Sequence, residues 1–394
     1  MEIRPSVLDR AELCARMRRG LHQIPELCGK EIETQGYICA FLEERGIPCR
    51  KILTGVVADF RGKDTSKTIA FRADIDGLPI TEKANLPFAS QNGNMHACGH
   101  DGHVAILLTF CDILAESKPP VNVRTIFQFG EEGALGAEQM IAGGALDGVS
   151  EIYALHLDPA LAVGKFASAS GAMMAGAVEL RVRFFGKEAH CAEAEKGVDA
   201  LKPLAALIGG RWAKDGGQLP ENKKNAGSSQ LSTSLHFRPP ATGRQRSTLF
   251  HVGKISGGTA HNIVAGLSEA FCTLRYFLDY ETHLSSIELF LRQADAEFGT
   301  AHELLIDALC PPLDNAVSAL ARVRLAVPDL LLAAPRYTAE DFACYLTKIP
   351  GCLTWLGVKD ETFFAPLHSD TFGFSEGALL YGVEMYIRIL EQFS

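Results

Sequence analysis

Nine residues, Met95-His96-Ala97-Cys98-Gly99-His100-Asp101-Gly102-His103, hold three histidines, a cysteine and an aspartate just ahead of the apolar run Val104-Ala105-Ile106-Leu107-Leu108. Thiolate and imidazole are ligands that suit zinc and similar transition ions. Cys98 and His100 stand two apart, whereas neighbours on a helix face stand three or four apart. They converge only if the backbone between them is irregular, which Gly99 makes easy, and Asp101 is then placed to cap the following helix. A buried cysteine beside polar histidines is the plain alternative for this stretch taken by itself.

Other chemistry-bearing residues sit at the ends of predicted strands. Thr68-Ile69-Ala70-Phe71-Arg72 leads into Ala73-Asp74-Ile75-Asp76, the strand over 121–129 into Gly130-Glu131-Glu132-Gly133, and Glu151-Ile152-Tyr153-Ala154-Leu155 into His156. Two acids after a buried strand are costly unless paired, so Asp74 and Asp76 are expected at its exposed end. There they could orient a metal-bound imidazole; plain loop acids are the alternative. Adjacent carboxylates after a strand point to the carboxyl edge of a sheet, where open α/β proteins put their sites. Several such endings in register look like a constructed cluster.

The elements that must position these groups follow from the pattern. Helical spacing is expected over 9–22, 31–46 and 102–116, with a Gly-rich helix over 134–144. Strands are expected at Val56–Phe60 and at the segments just named. From about 176 the pattern changes: Ala177 to Phe184 alternates like an antiparallel strand with one solvated face. A helix about 197–213, strands near 230–238, 248–256 and 267–277, a helix 283–298 and a strand 302–310 suggest a small α+β insert. Asp215 to Ser229 reads as a surface loop. Helical segments and short strands return from about 312, and a terminal helix spans about 375–392. Domains are therefore expected at 1–175, 176–311 and 312–394, the first and last forming one body.

Bulk properties narrow the function classes. With 394 residues and 47% hydrophobic content, the chain has ample core for two domains. A formal net charge of −9 disfavours nucleic acid and anionic membranes as partners. Neither a signal-peptide core nor an apolar run of membrane-spanning length is visible. Eleven cysteines scattered through a chain of this size imply a reducing cytoplasm, with most thiols acting as small core residues.

Taken together, Leu21-His22-Gln23-Ile24-Pro25-Glu26-Leu27, Arg72 to Pro79, His96 to His103, Glu131-Glu132-Gly133, Glu340-Asp341-Phe342 and Leu367-His368-Ser369 resemble the amidohydrolase branch of the aminoacylase/carboxypeptidase G metallohydrolases. That branch includes hippurate hydrolases, auxin-conjugate hydrolases, N-acetyldiaminopimelate deacetylases and p-aminobenzoyl-glutamate hydrolase. The resemblance runs over nearly the whole chain. It implies an α/β fold: a zinc-aminopeptidase-like three-layer catalytic domain with an inserted smaller α+β lid or dimerisation domain. It implies two divalent ions (zinc, manganese or cobalt) held by Cys98, His100, Glu132, His156 and His368, with Glu131 as general base and Asp76 supporting a metal-bound side chain. In the lid, His190 would help hold the oxyanion, and Asn262 and Arg275 would grip the substrate carboxylate. The implied substrate is an N-acyl amino acid or related conjugate, and a homodimer through the lid is one implied arrangement. A metallo-dipeptidase or carboxypeptidase is the near variant. A catalytically silent relative that binds metal or an acylated ligand is the alternative from another class.

The lid departs from the family pattern. A Pro-His pair often follows the lid histidine, but here the run is Cys191-Ala192-Glu193-Ala194-Glu195-Lys196, and Asn262-Ile263-Val264-Ala265 stands where Asn-Val-Ile-Pro is usual. His22, His96 and His103 are expected as structural or supporting residues, and His236, His251, His283 and His302 as ordinary partly exposed histidines. Asp341 is expected to cap the helix that starts there, and a surface salt bridge is the plain alternative for Arg275.

Overall fold

The computed structural model describes residues 1–133, 136–209, 234–237 and 248–394. The predicted loop 215–229 lies outside them. Two compact units are present: Met1–Met173 with Leu313–Ala334 and Glu340–Ser394, and Met174–Pro312 with Pro335–Ala339. The short Pro335–Ala339 stretch belongs to the second unit because Ala175 N–H donates to Arg336 O at 2.9 Å.

The first unit is built on an eight-stranded mixed sheet. Its strand order is Cys49–Ile52, Gly55–Phe60, Val121–Gln128, Asp64–Asp74, Val149–Ala162, Gly351–Lys359, Phe166–Ser168, Leu331–Leu332. The four central strands run parallel. Their apolar runs are continuous rather than alternating, as expected for strands covered on both faces. In Asp64–Asp74 the exposed start gives way to a fully buried second half. Helix His100–Glu116 is buried almost all round, from Val104 through Cys111. It packs against that strand and against helices Ala11–His22 and Leu379–Glu391, which explains why its apolar residues form no single stripe. Phe71, Phe110 and Tyr386 meet there, with Phe71 at 4.8 Å from each of the other two rings. Helix Ile32–Glu44 is started by Glu26, whose carboxylate accepts from the N–H groups of Ile32, Glu33 and Thr34 at 2.9–3.1 Å.

In the second unit an antiparallel sheet runs Ala301–Cys310, Gly176–Phe185, Leu267–Tyr276, Thr248–Gly257, Ser234–Phe237. Its period-two pattern holds: Val178, Leu180, Val182 and Phe184 are buried in one core with helices Leu201–Ile208 and Tyr280–Phe298. Two of the histidines expected to be ordinary and partly exposed are indeed half-buried, and both are partnered. His302 Nδ1 pairs with Asp295 at 2.5 Å, and His283 Nε2 lies 2.7 Å from Thr248 Oγ1. The side chain of His236 lies outside the described residues.

Candidate metal centre

Gly99 makes the irregular turn between Cys98 and His100, with φ of 87° in the left-handed region that favours glycine. The helix then begins at His100 itself. Asp101 is therefore inside the first turn and does not cap it, contrary to expectation. Its buried carboxylate accepts instead from Arg18 Nε and His22 Nδ1, both at 2.9 Å. The left-handed glycine already turns the chain, so no capping side chain is needed.

Asp74 and Asp76 also correct the sequence reading, because both are buried rather than exposed. Pairing makes that tolerable. Asp74 accepts from Arg72 Nη1 at 2.9 Å and from His103 Nδ1 at 2.5 Å. Asp76 Oδ2 accepts from the Glu132 N–H at 2.9 Å, and its Oδ1 lies 3.3 Å from His100 Nδ1. His100 Nδ1 donates to Asp76 O at 2.9 Å, so the free lone pair is on Nε2.

The turn after Val121–Gln128 is pinned at its amides. Gly130 N–H donates to Glu31 at 3.0 Å, Glu132 N–H donates to Asp76, and Gly130 has φ of 66°. The two glutamates share His100 as a neighbour but differ in their other partners. Glu131 lies with Glu132 and His100 in one group of possible ligands and with Glu340 and Asp341 in another, whereas Glu132 also groups with Cys98 and His368. Burial, Glu340 and Glu132 push Glu131 well above the usual carboxylate range.

His156 donates through Nδ1 to Leu157 O at 2.8 Å, leaving Nε2 at 3.4 Å from Cys98 Sγ. Burial holds its imidazole down, to about 4. His368 is one of two non-glycine residues with positive φ among the described residues, at 63°, and its N–H donates to Ala97 O at 2.9 Å. That backbone bond sets its half-exposed ring with Nε2 at 3.1 Å from Glu132 Oε1.

Cys98, His100, Glu132, His156 and His368 thus meet within one unit. Electron pairs from sulfur, imidazole and carboxylate are turned toward one another, and the buried His100 Nε2 has no hydrogen bond. Such a set is unfavourable by itself and fits divalent cations. His103 does not belong to it. Its Nδ1 donates to Asp74 and its Nε2 accepts from Leu157 N–H at 3.0 Å, so both nitrogens are used. His22 uses both nitrogens, on Asp101 and Glu82, whereas His96 bonds through Nδ1 to the Asp76 carbonyl and its buried Nε2 has no hydrogen bond.

Sequence reasoning missed the groups behind this set. Asp341 makes no capping bond. Its carboxylate accepts from Arg72 Nη2 at 3.0 Å, Gln128 Nε2 at 2.8 Å and Ala137 N–H at 2.9 Å. Burial, with Arg72 lowering and Glu340 raising, leaves it at about 7. The available signal was an arginine inside a buried strand two positions before an aspartate, and hence on the same face.

In the second unit, His190 bridges Ile263, and Cys191 N–H donates to Asn262 O at 2.9 Å, so His190 and Asn262 are neighbours. The His190 Nδ1 accepts from Ala192 N–H at 3.2 Å, so its Nε2 carries the proton. Arg275 is elsewhere. It pairs with Ala177, at the opposite end of the sheet from the Leu267–Phe185 pair next to that loop, about 26 Å away along the strand. Burial lowers its pKa, and no ion pair to it is found among the described residues, so the surface salt bridge kept as its plain alternative is not seen.

Residues 70–392 match the peptidase family M20/M25/M40. The chain is 34% identical to an N-acetyl-L-cysteine deacetylase of Bacillus subtilis (strain 168), over 92% of this chain and 84% of that one. It is 32% identical to an N-acetyldiaminopimelate deacetylase of Lactococcus lactis subsp. cremoris (strain SK11), over 95% and 97%. The crystal structure of the Bacillus subtilis YXEP protein, described as a dinuclear metal binding peptidase from the M20 family, superimposes with a TM-score of 0.78 at 28% identity, covering 97% of this chain and 98% of that one. With the α/β fold and matches over nearly its whole length, this chain is a member of the M20/M25/M40 peptidase family.

Proposed function

We propose that the protein is a metal-dependent amidohydrolase that cleaves the amide of an N-acyl amino acid or a close conjugate, releasing a carboxylic acid and an amine. The observation that carries this reading is the convergence of Cys98, His100, Glu132, His156 and His368, with the buried His100 Nε2 unbonded and Glu131 close beside His100 and Glu132. Those five side chains would hold two divalent ions. When bound, such ions polarise a carbonyl and bring the pKa of water to ~7. A thiolate among the ligands suits zinc, and manganese and cobalt remain compatible with the nitrogen and oxygen donors.

Glu131 is the general base in this reading. A carboxyl raised by burial and by neighbouring acids is suited to take the proton of the attacking water and pass it to the leaving amine. Asp76 fixes His100 and the Glu132 backbone in place. In the second unit, His190 presents an Nε2–H suited to a developing oxyanion, and Asn262 and Arg275 are suited to a substrate carboxylate. Because Arg275 sits about 26 Å along the strand from the sheet end next to the Asn262 loop, the two serve different parts of the substrate or different active centres. The free thiols throughout the chain support a reducing, cytoplasmic setting.

The test is a substrate panel. Protein reconstituted with zinc or manganese should release free amine from one or more of N-acetyl, N-benzoyl, N-acylglutamine and p-aminobenzoyl-glutamate substrates, and chelator-treated protein should not. No hydrolysis by metal-loaded protein across the panel would reject the reading.

A further inference from the structure

Arg72 is the one guanidinium in contact with both sides of this centre among the described residues. It is 1% exposed and makes four polar contacts: Nε to Gln128 Oε1 at 2.8 Å, Nη1 to Asp74 Oδ2 at 2.9 Å, and Nη2 to Asp341 Oδ1 at 3.0 Å and Glu340 Oε1 at 3.1 Å. Two paths leave it. One runs from Asp74 to His103 Nδ1, from His103 Nε2 to the Leu157 N–H, and from the Leu157 carbonyl to His156 Nδ1. Every group on it is buried; Asp74 and the Leu157 N–H fix the tautomer of His103, and the Leu157 carbonyl fixes that of His156. The other runs to Glu340 and Asp341, whose oxygens lie within 4.8 Å of Glu131.

We infer that Arg72 is a positioning residue for both halves of the reaction: through Asp74 and His103 it aims the His156 Nε2, and through Glu340 and Asp341 it fixes the surroundings of Glu131. This rests on the proposed roles of His156 and Glu131. The planar fork matters as much as the charge, since one guanidinium reaches four oxygens in fixed directions. A family motif that supplies no ligand, Glu340-Asp341-Phe342, thereby acquires a task.

The test uses cobalt-loaded full-length protein, reading cobalt per chain, the thiolate-to-cobalt absorption band and turnover. His103→Ala breaks only the first path and should weaken cobalt binding about 10- to 100-fold with unchanged far-ultraviolet circular dichroism. Arg72→Ala should do the same and also lower kcat further than His103→Ala does, because it alone releases Glu340 and Asp341. Free guanidinium ion should restore both cobalt binding and kcat in Arg72→Ala, and methylammonium should not. Wild-type cobalt affinity in folded His103→Ala overturns the inference, and so does Arg72→Ala that guanidinium fails to rescue. If Arg72→Ala does not fold, His103→Ala decides alone. Wild-type protein that takes up cobalt without a thiolate band would instead overturn the underlying assignment of the centre, and the inference with it.

Discussion

Strand Gly176–Phe185 of the second unit keeps Val178, Leu180, Val182 and Phe184 inside and sends Arg181 and Arg183 outward, where they meet Asp307, Glu269 and Glu303 near solvent. Strand Asp64–Asp74 of the first unit does the reverse, burying Arg72 and Asp74 at its carboxyl end. A second buried guanidinium, Arg18, holds Asp101 at 2.9 Å under helix His100–Glu116, lying over the Phe374 ring at 4.1 Å. The contrast separates two uses of charge. The second unit is held by apolar burial, and its ion pairs decorate it. The first unit buries its charges because they must fix imidazoles and carboxylates to a few tenths of an ångström, and a charge exposed to water cannot be held so tightly.

On that contrast, the largest effect belongs to Glu131. Glu131→Gln should lower turnover by about 10²- to 10⁴-fold while leaving metal content unchanged; metal analysis beside steady-state kinetics checks this, and near-normal turnover would remove Glu131 from its role. Next comes the buried pair. Arg18→Met leaves buried Asp101 with His22 alone and should cost about 3 kcal/mol in urea unfolding, and a loss under 1 kcal/mol would put that pair in the same class as a surface contact.

The third effect concerns pH. Burial disfavours the His22 imidazolium, but Asp101 and Glu82 outweigh it and raise His22 to about 9. A raised folded-state value means that this stabilisation is complete below the unfolded value of about 6.5 and fades as pH rises through about 9. It is on the order of 2–3 kcal/mol. Unfolding midpoints of the wild type should therefore fall between pH 7 and pH 10 by more than those of His22→Gln; parallel profiles would refute it. Smallest is Arg181→Ala, which breaks a pair with Asp307 that is about one-third exposed on each side. It should change stability by about 0.2–1 kcal/mol, and a larger loss would erase the distinction between the units.

Much of this arrangement was legible beforehand. The α/β class followed from strand-like apolar runs alternating with helical segments, and the change to an antiparallel pattern from Ala177 to Phe184 reflects a sheet with one covered face. Cys98-Gly99-His100 showed both its donors and the glycine that lets them converge. Less legible were the groups one layer back. Asp74 and Asp76 invited an exposed position because burial of lone acids is costly, and the partners that remove the cost, Arg72 and His103, are fixed only by packing. Asp341 looked like a helix cap for the same reason: its actual partners, Arg72 and Gln128, are 269 and 213 positions away along the chain.

What the sequence determined by itself, then, is donor chemistry, secondary-structure period and local turns, because these depend on residue type and near neighbours. What only tertiary structure decided is which nitrogen of each histidine is free, which of Glu131 and Glu132 faces Cys98, and how far Arg275 lies from His190. Those depend on hydrogen bonds and strand registers between segments far apart in the chain, and residue types alone do not encode such distances.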